Sequence, residues 1–288
     1  MSWHFTTDPA AFPDTARACV AAEPERNTGL LTLLDAPGTT GITRGWWTAG
    51  EASVTGACLL VPGPGTLLLG AMPDAAARAL PAALPRTVRE ARGEAATVEA
   101  FAAPFAAATG RKARTSVRLR LFRLGELTAP RPAPRGAARA AGPGDVPLLL
   151  SWMSAYAGDV GEDPDADYSA HAEAMVREDR LRFWEADGVP VAMASFSRPA
   201  AGRSRVSLVY TPPAHRARGY AGAVTTEVSR AARAAGAAQV LLFTDLANPT
   251  SNALYQRLGY RPIGDHTRVA FHENTDENED RAGASIRG

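Results

Sequence analysis

The chain has 288 residues, 45% of them hydrophobic, and a formal net charge of +1; that allows two domains with sizeable cores, and the near-neutral balance gives no global field to recruit nucleic acid or an anionic membrane. Cys19 and Cys58 lack any Cys-x-x-Cys or Cys/His ligand spacing and the five histidines are scattered, so no zinc site is indicated and both thiols read as reduced and structural. The N-terminus Met1-Ser2-Trp3-His4-Phe5 shows no basic and apolar leader, and no window approaches a membrane span, so a cytoplasmic protein with no membrane partner is expected.

In chain order, residues 12–22 predict a helix. Trp46-Trp47 opens a strand, Ala49-Gly50 turns, and residues 53–61 return. Residues 66–70 read as an apolar strand, 74–84 as a helix, 96–101 as a strand, 105–109 as a short helix and 114–124 as a long alternating strand. Residues 129–144 form a Pro/Ala/Gly-rich bridge in which Pro130, Pro132 and Pro134 favour an extended chain, which puts a domain boundary near Pro132. Residues 146–157 predict a helix with Asp145 as N-cap and Pro147 in the first turn, and 168–179 a second helix. Strands follow at 181–186, 191–197 and 205–211, the first two joined by an Asp187-Gly188 turn. Then come a helix at 217–235 ended by Gly236, an apolar strand at 239–245, a short helix at 250–258 closed by Gly259, and two strands at 260–263 and 267–272. Residues 273–288 are polar with no periodicity and read as a disordered tail.

The two halves echo each other. Trp46-Trp47 and its turn align with Phe183-Trp184 and its turn, and the strand before Met72-Pro73 aligns with the strand before Pro212-Pro213. This is an internal repeat of a whole domain, with copies at 1–131 and 132–272. The copies differ in chemistry. The second runs from its strand through Thr211-Pro212-Pro213 into Arg216-x-x-Gly219-x-Ala221 and a helix. The N–H groups that open a helix have no internal partner and sit at the positive end of its dipole, so they suit phosphate oxygens. The first copy goes directly into Asp74-Ala75-Ala76, where the carboxylate would repel a phosphate.

A second motif lies downstream: Asn248-Pro249-x-Ser251-Asn252-x-x-Tyr255-x-x-x-Gly259-Tyr260. With the loop and the hairpin at 186–192, it makes residues 135–272 resemble the GNAT superfamily of acyl-CoA-dependent N-acyltransferases. That resemblance implies an α/β (α+β) fold of two tandem GNAT-like domains, each a mixed, mostly antiparallel twisted sheet flanked by helices. The first would be a degenerate copy that supports packing or shapes the acceptor cleft, the second the catalytic domain.

The resemblance implies acetyl-CoA as co-substrate, with no metal. Arg216, Ala217, Arg218, Gly219, Tyr220, Ala221 and Gly222 would form the pyrophosphate loop, Gly219 letting the backbone approach closely. The strand ending at Thr211 would splay from its neighbour, so that Val209 and Thr211 pair with the pantetheine amides and the N–H near Tyr210 polarises the thioester carbonyl. Tyr255 would protonate the leaving thiolate as general acid. Asn248 and Asn252 would hold the coenzyme arm or fix the helix start. The base stays open between Glu185, Asp245 and a water chain, because the strand 205–211 holds no carboxylate. Trp152, Tyr156 and Trp184 could line an acceptor pocket, and the acidic run of Asp159, Glu162, Asp163, Asp165 and Asp167 could rim it or simply be solvated.

The expected activity is an N-acetyltransferase, an acyltransferase moving groups other than aminoacyl groups, that passes an acetyl group to a primary amine of a small molecule or peptide by direct attack in a ternary complex. Alternatives are an acyltransferase resembling mycothiol synthase, a two-domain member of the superfamily, and a non-catalytic acyl-CoA-binding sensor. A P-loop ATPase is disfavoured because no Gly-Lys-Ser/Thr follows the loop, a dinucleotide fold because one glycine stands where three are expected, and a DNA-binding role because no basic stripe exists. The protein is expected to act as a monomer or homodimer.

Overall fold

The structure, a computed structural model, describes residues 1–34, 41–50 and 53–273. Its strands are β1 (Ser2–Thr6), β2 (Thr43–Ala49), β3 (Ser53–Val61), β4 (Thr66–Leu69), β5 (Glu90–Glu94), β6 (Lys112–Leu124), β7 (Ala137–Ala140), β8 (Leu181–Ala186), β9 (Val189–Phe196), β10 (Arg203–Tyr210), β11 (Gln239–Asp245) and β12 (Tyr260–His272). Its helices are α1 (Asp14–Ala22), α2 (Thr28–Leu34), α3 (Asp74–Ala79), α4 (Ala95–Thr109), α5 (Val146–Asp159), α6 (Ser169–Arg177), α7 (Tyr220–Ala234) and α8 (Pro249–Arg257). The chain divides into two compact units. One comprises Met1–Leu30, Pro37–Arg118 and His266–Gly288, the other Leu31–Ala36 and Leu119–Asp265. Leu119 and the residues after it thus group with the second unit, and the end of β12 with the first.

In the first unit, β1, β2, β3 and β4 pair antiparallel in that order, β4 and β5 pair parallel, and β5 pairs antiparallel with β12 over His266–Ala270. Val98, Phe101 and Phe105 of α4 recur every three or four residues and bury against Leu67, Leu69 and Phe271. In the second unit, β6, β11, β10, β9, β8 and β7 lie in that order, all antiparallel except the parallel pair β10–β11, which α7 connects. One face of that sheet packs on α7 and α8 through Trp184, Val224, Val228, Tyr255 and Tyr260. The other packs on α5 and α6 through Leu149, Met153, Met175, Phe183, Met193 and Tyr210.

Several expectations need correction. Residues 96–101 are not a strand but part of α4, whose alanines have the highest helix propensity and whose Pro104 is accommodated inside the helix. The strand expected there is β5, hidden by its charged sequence Glu-Ala-Arg-Gly-Glu. The helix expected at 74–84 ends at Ala79, because Pro81 cannot donate, and continues as a 3-10 turn. The strands at 260–263 and 267–272 are one continuous β12. Asp145 does not cap α5: its carboxylate accepts from the Gly142 N–H and Arg139 instead. The elements β1, α2 and β7 were not expected from the sequence. Beyond Glu273 the tail lies outside the described residues.

Candidate functional site

The second unit opens where β10 leaves β11. Their parallel ladder runs only from Arg203–Gln239 to Val206–Leu242, while β11 continues to Asp245 on the arm of β6. On its other side β10 changes register against β9 between Ser207 and Tyr210, and Leu208 takes φ +50°. An inserted residue of this kind bends and twists its strand. The backbone of Ser207–Tyr210 therefore forms an edge with no β11 partner. Tyr210 and Leu208 pack on the α5 side of the sheet and Val209 on the α7 side.

Thr211 and a 3-10 turn, Pro213–His215, lead from this edge to the exposed stretch Arg216–Gly219. Gly219 is the N-cap of α7 at φ +81°. A methyl group at this position would come no closer to its surroundings than 3.7 Å, from Pro134, so backbone conformation rather than crowding asks for glycine here. The helix starts at Tyr220, later than the expected 217, because Ala217 also has a positive φ of 60°. The first helical bond runs from the Ala223 N–H to the Gly219 carbonyl at 3.1 Å, and no side chain caps the turn before it. The N–H groups of Tyr220, Ala221 and Gly222 thus stand ahead of the ladder at the positive end of α7. Arg216 braces the loop. Its Nε donates to the Thr211 carbonyl at 2.9 Å and a terminal nitrogen donates to Asp159 Oδ2 at 2.6 Å.

Helix α8 follows β11 after a short turn. Asn248 Oδ1 accepts from the Ser251 N–H at 3.0 Å as its N-cap, and Asn252 Nδ2 donates to the carbonyls of Asp245 and Asn248 at 2.8 and 2.7 Å. Of the two roles expected for these asparagines, the geometry shows the fixing of the helix start. The Asp245 carboxylate accepts from the Ala247 N–H at 2.8 Å in the turn before the helix. Tyr255 is buried, its ring 6.1 Å from that of Tyr260. Burial first, then Tyr156 and Tyr260, push its phenol well above the ordinary tyrosine value, so it stays protonated at neutral pH.

The remaining candidates separate. Trp152 lies on the α5 face, its ring 5.8 Å from Tyr210 and 5.6 Å from Phe183. Tyr156, one turn on, interacts electrostatically with both Tyr255 and Arg205. Trp184 is on the opposite face, buried in the α7 core, where its Nε1 donates to the Arg135 carbonyl at 3.0 Å; the alternation of β8 puts Phe183, not Trp184, toward α5. Glu185 accepts from Arg139 Nε at 2.6 Å, beside the Arg139–Asp145 pair, two strands from β10. Two features were missed in the sequence. One is Arg205, over the Phe243 ring at 5.9 Å beside the point where β10 and β11 part; its signal was a charge inside an apolar strand. The other is the Arg216–Asp159 pair, which no local spacing announces.

The first unit differs at the equivalent strand end. Gly93 of β5 lies so close to β4 that a methyl group there would meet the Leu69 carbonyl oxygen at 2.8 Å. The Gly70 N–H donates to the Ala57 carbonyl at 2.9 Å. The next N–H, of Ala71, donates to Asn27 Oδ1 at 2.7 Å, and Asn27 Nδ2 donates to the Val20 carbonyl at 3.0 Å, all buried. Among the described residues no His/Cys/Asp/Glu group could hold a metal ion, and no helix is long and apolar enough to cross a membrane.

Residues 147–260 match the model of the acetyltransferase (GNAT) family. No curated protein matches the chain. Among solved structures, the chain is similar to a GCN5-related N-acetyltransferase from Sphaerobacter thermophilus (TM-score 0.66, 15% identity, 93% of this chain and 94% of that one). It is similar to an acetyltransferase from the GNAT family from Colwellia psychrerythraea (TM-score 0.60, 12% identity, 95% and 100%). It is also similar to a tandem GNAT protein from the clavulanic acid biosynthesis pathway (TM-score 0.56, 14% identity, 96% and 100%). Identities this low speak to the fold alone, and the fold is that of two tandem GNAT-like domains.

Proposed function

We infer, with the GNAT acetyltransferase domain at residues 147–260 as the premise, that this chain transfers an acetyl group from acetyl-CoA to a primary amine of a small molecule or peptide by direct attack in a ternary complex. The observation that carries the reading is the opening of β10 from β11 after Val206, with the phosphate loop at one end of the exposed edge and Tyr255 beside it.

The residues fit a coenzyme that brings a pyrophosphate, an amide-bearing arm and an activated thioester. Backbone N–H groups from Ala217 to Gly222 hold the pyrophosphate, with Arg216 and Arg218 adding positive charge. The edge at Val209 and the N–H of Thr211, whose carbonyl already accepts from Arg216, take the arm amides as a strand would. The N–H near Tyr210 faces the carbonyl on which negative charge develops. The amine lone pair attacks the thioester carbon, the nitrogen, now cationic, releases a proton to solvent, the carbon–sulfur bond breaks, and the Tyr255 hydroxyl gives its proton to the departing sulfur. Solvent then restores that proton.

An alkyl ammonium has a pKa of about 10, so the attacking amine must first lose a proton. Glu185 is held by Arg139 and Asp245 caps a turn, so we assign that proton to water rather than to either carboxylate. Trp152 and Tyr156 line the acceptor side; Trp184 supports α7 instead. The first unit holds no coenzyme in this reading, because Asn27 takes the Ala71 N–H that an arm amide would need.

Coenzyme A release measured against an amine panel tests the reading, with acetyl-CoA thermal-shift titration as its binding arm. Turnover with one class of amine is expected. Tight acetyl-CoA binding without turnover on any amine would leave the non-catalytic sensor, and no stabilisation by acetyl-CoA would remove both.

A further inference from the structure

We propose that Asp159 is a positioning residue for the coenzyme's pyrophosphate, acting through Arg216 on the shape of the loop from Thr211 to Gly219. The proposal rests on the coenzyme reading above and adds to it a residue from outside both sequence motifs.

The loop is exposed and conformationally demanding. Ala217 is at φ +60° and Gly219 at φ +81° within three residues, and alanine takes such a conformation only where its surroundings hold it there. The first turn of α7 offers N–H groups but has no side-chain cap to fix their direction. What defines the loop is Arg216. Its Nε closes the turn onto the Thr211 carbonyl at 2.9 Å, and its terminal nitrogen is anchored on Asp159 at 2.6 Å. Two bonds from one planar guanidinium to acceptors on different elements fix both its position and its plane. The anchor is the last residue of α5, a helix whose buried face, Leu149, Met153 and Ala157, is set in the core.

A loop shaped before binding spares its ordering cost when the phosphates arrive. Without Asp159 the guanidinium keeps only its bond to the Thr211 carbonyl and can turn about it, so the N–H groups of Ala217 to Gly222 lose part of their common direction.

The test compares two acetyl donors on the full chain: acetyl-CoA, and S-acetylpantetheine, which has the thioester and arm amides but no pyrophosphate. Both side chains of the pair are about half exposed, 50% and 51%, so Asp159→Asn should fold normally. An exposed pair contributes little, so Asp159→Asn is expected to raise the KM and Kd for acetyl-CoA about two- to fivefold. The KM for S-acetylpantetheine and the kcat with either donor should stay at their wild-type values. Asp159→Glu should restore the acetyl-CoA value. Adding Asp159→Asn to Arg216→Gln should cost nothing beyond Arg216→Gln alone. An equal loss with both donors would mean a merely structural role and overturn the proposal. Tighter acetyl-CoA binding in Asp159→Asn would also overturn it, since Arg216 would then leave Asp159 for the phosphate. Absence of any wild-type thermal stabilisation by acetyl-CoA would overturn the coenzyme reading itself, through a readout separate from the donor ratio.

Discussion

The parallel strand pairs β4–β5 and β10–β11 occupy the same place in their two units and end differently. At β10 a bulge with Leu208 at positive φ turns the strand away, and its last residues have no partner on the β11 side. At β4 the antiparallel register with β3 is regular from Val61–Thr66 to Cys58–Leu69, and Gly93 lets β5 stay against the Leu69 carbonyl. The N–H that follows is taken by a buried asparagine amide. One pair is held open by strain in its own strand; the other is closed by a glycine and by Asn27, whose side chain offers an amide oxygen of the kind a pantetheine arm would bring. On the proposed reading, a repeated fold can keep its core and lose its ligand through a few polar contacts, because the site needs unpaired backbone groups while the fold favours pairing them.

The comparison is most directly broken at Tyr255. Tyr255→Phe keeps the buried ring and its packing on Tyr260 and removes the acid, so kcat should fall about 10²- to 10⁴-fold while acetyl-CoA binding changes little. Because burial raises its pKa, the phenol stays protonated past the ordinary tyrosine value of about 10, and the wild-type rate should show no Tyr255 limb below that pH. The sign carries over to stability: the unfolded phenol ionises first, so stability present below pH 10 is lost as pH rises toward the folded value. Gly219→Val comes next. A β-branched residue at φ +81° strains the loop by roughly 1–2 kcal/mol, so acetyl-CoA should bind about five- to thirtyfold more weakly, as calorimetry would read.

How much of this contrast was legible follows from where its determinants lie. Arg216-x-x-Gly219-x-Ala221 and the run from Asn248 to Tyr260 are contiguous, and local chemistry (a positive φ, a cap, a helix start) is written in adjacent letters. The strand periodicity of β3, β8 and β11 was equally local. What the sequence hid is tertiary. Asn27 is 44 residues from the Ala71 N–H it satisfies, and Asp159 is 57 from Arg216. Trp184 and Phe183 are neighbours with equal aromatic character, and only the sheet's two faces decide which meets α5. Strand β5 is concealed by its glutamates and arginine, and residues 96–101, the first part of α4, read as a strand where alanine's preference for helix is not counted, while 105–109 already read as helix.

Asn27 sharpens the comparison from the closed side. Asn27→Ala leaves the Ala71 N–H and the Val20 carbonyl without their buried partner, so it should destabilise folding by about 1–3 kcal/mol in chemical denaturation. Turnover at saturating donor should be unchanged, because nothing in the second unit is touched. Acetyl-CoA stoichiometry should stay at one per chain: removing the amide frees an N–H but does not part β4 from β5, which Gly93 keeps together. A second bound coenzyme in this variant would mean that the asparagine alone closes the first unit.

The smallest expected effect concerns the base. Glu185 and Arg139 bind each other on β8 and β7, and Asp145 holds the same guanidinium at 2.7 and 2.8 Å, so the three fasten the entry of α5 to the edge of the sheet. Glu185→Gln keeps an oxygen that can accept from Arg139 and leaves the doubly bonded Asp145 in place. Its cost in stability should therefore be under about 1 kcal/mol, and its effect on kcat/KM under about threefold. If the attacking amine instead lost its proton to Glu185, kcat/KM would fall by about 10² or more, and the acid limb of its pH profile would disappear in the variant. The two outcomes are far apart, so one pH–rate series on wild type and Glu185→Gln decides between a proton taken by water and one taken by a carboxylate two strands from the opened edge.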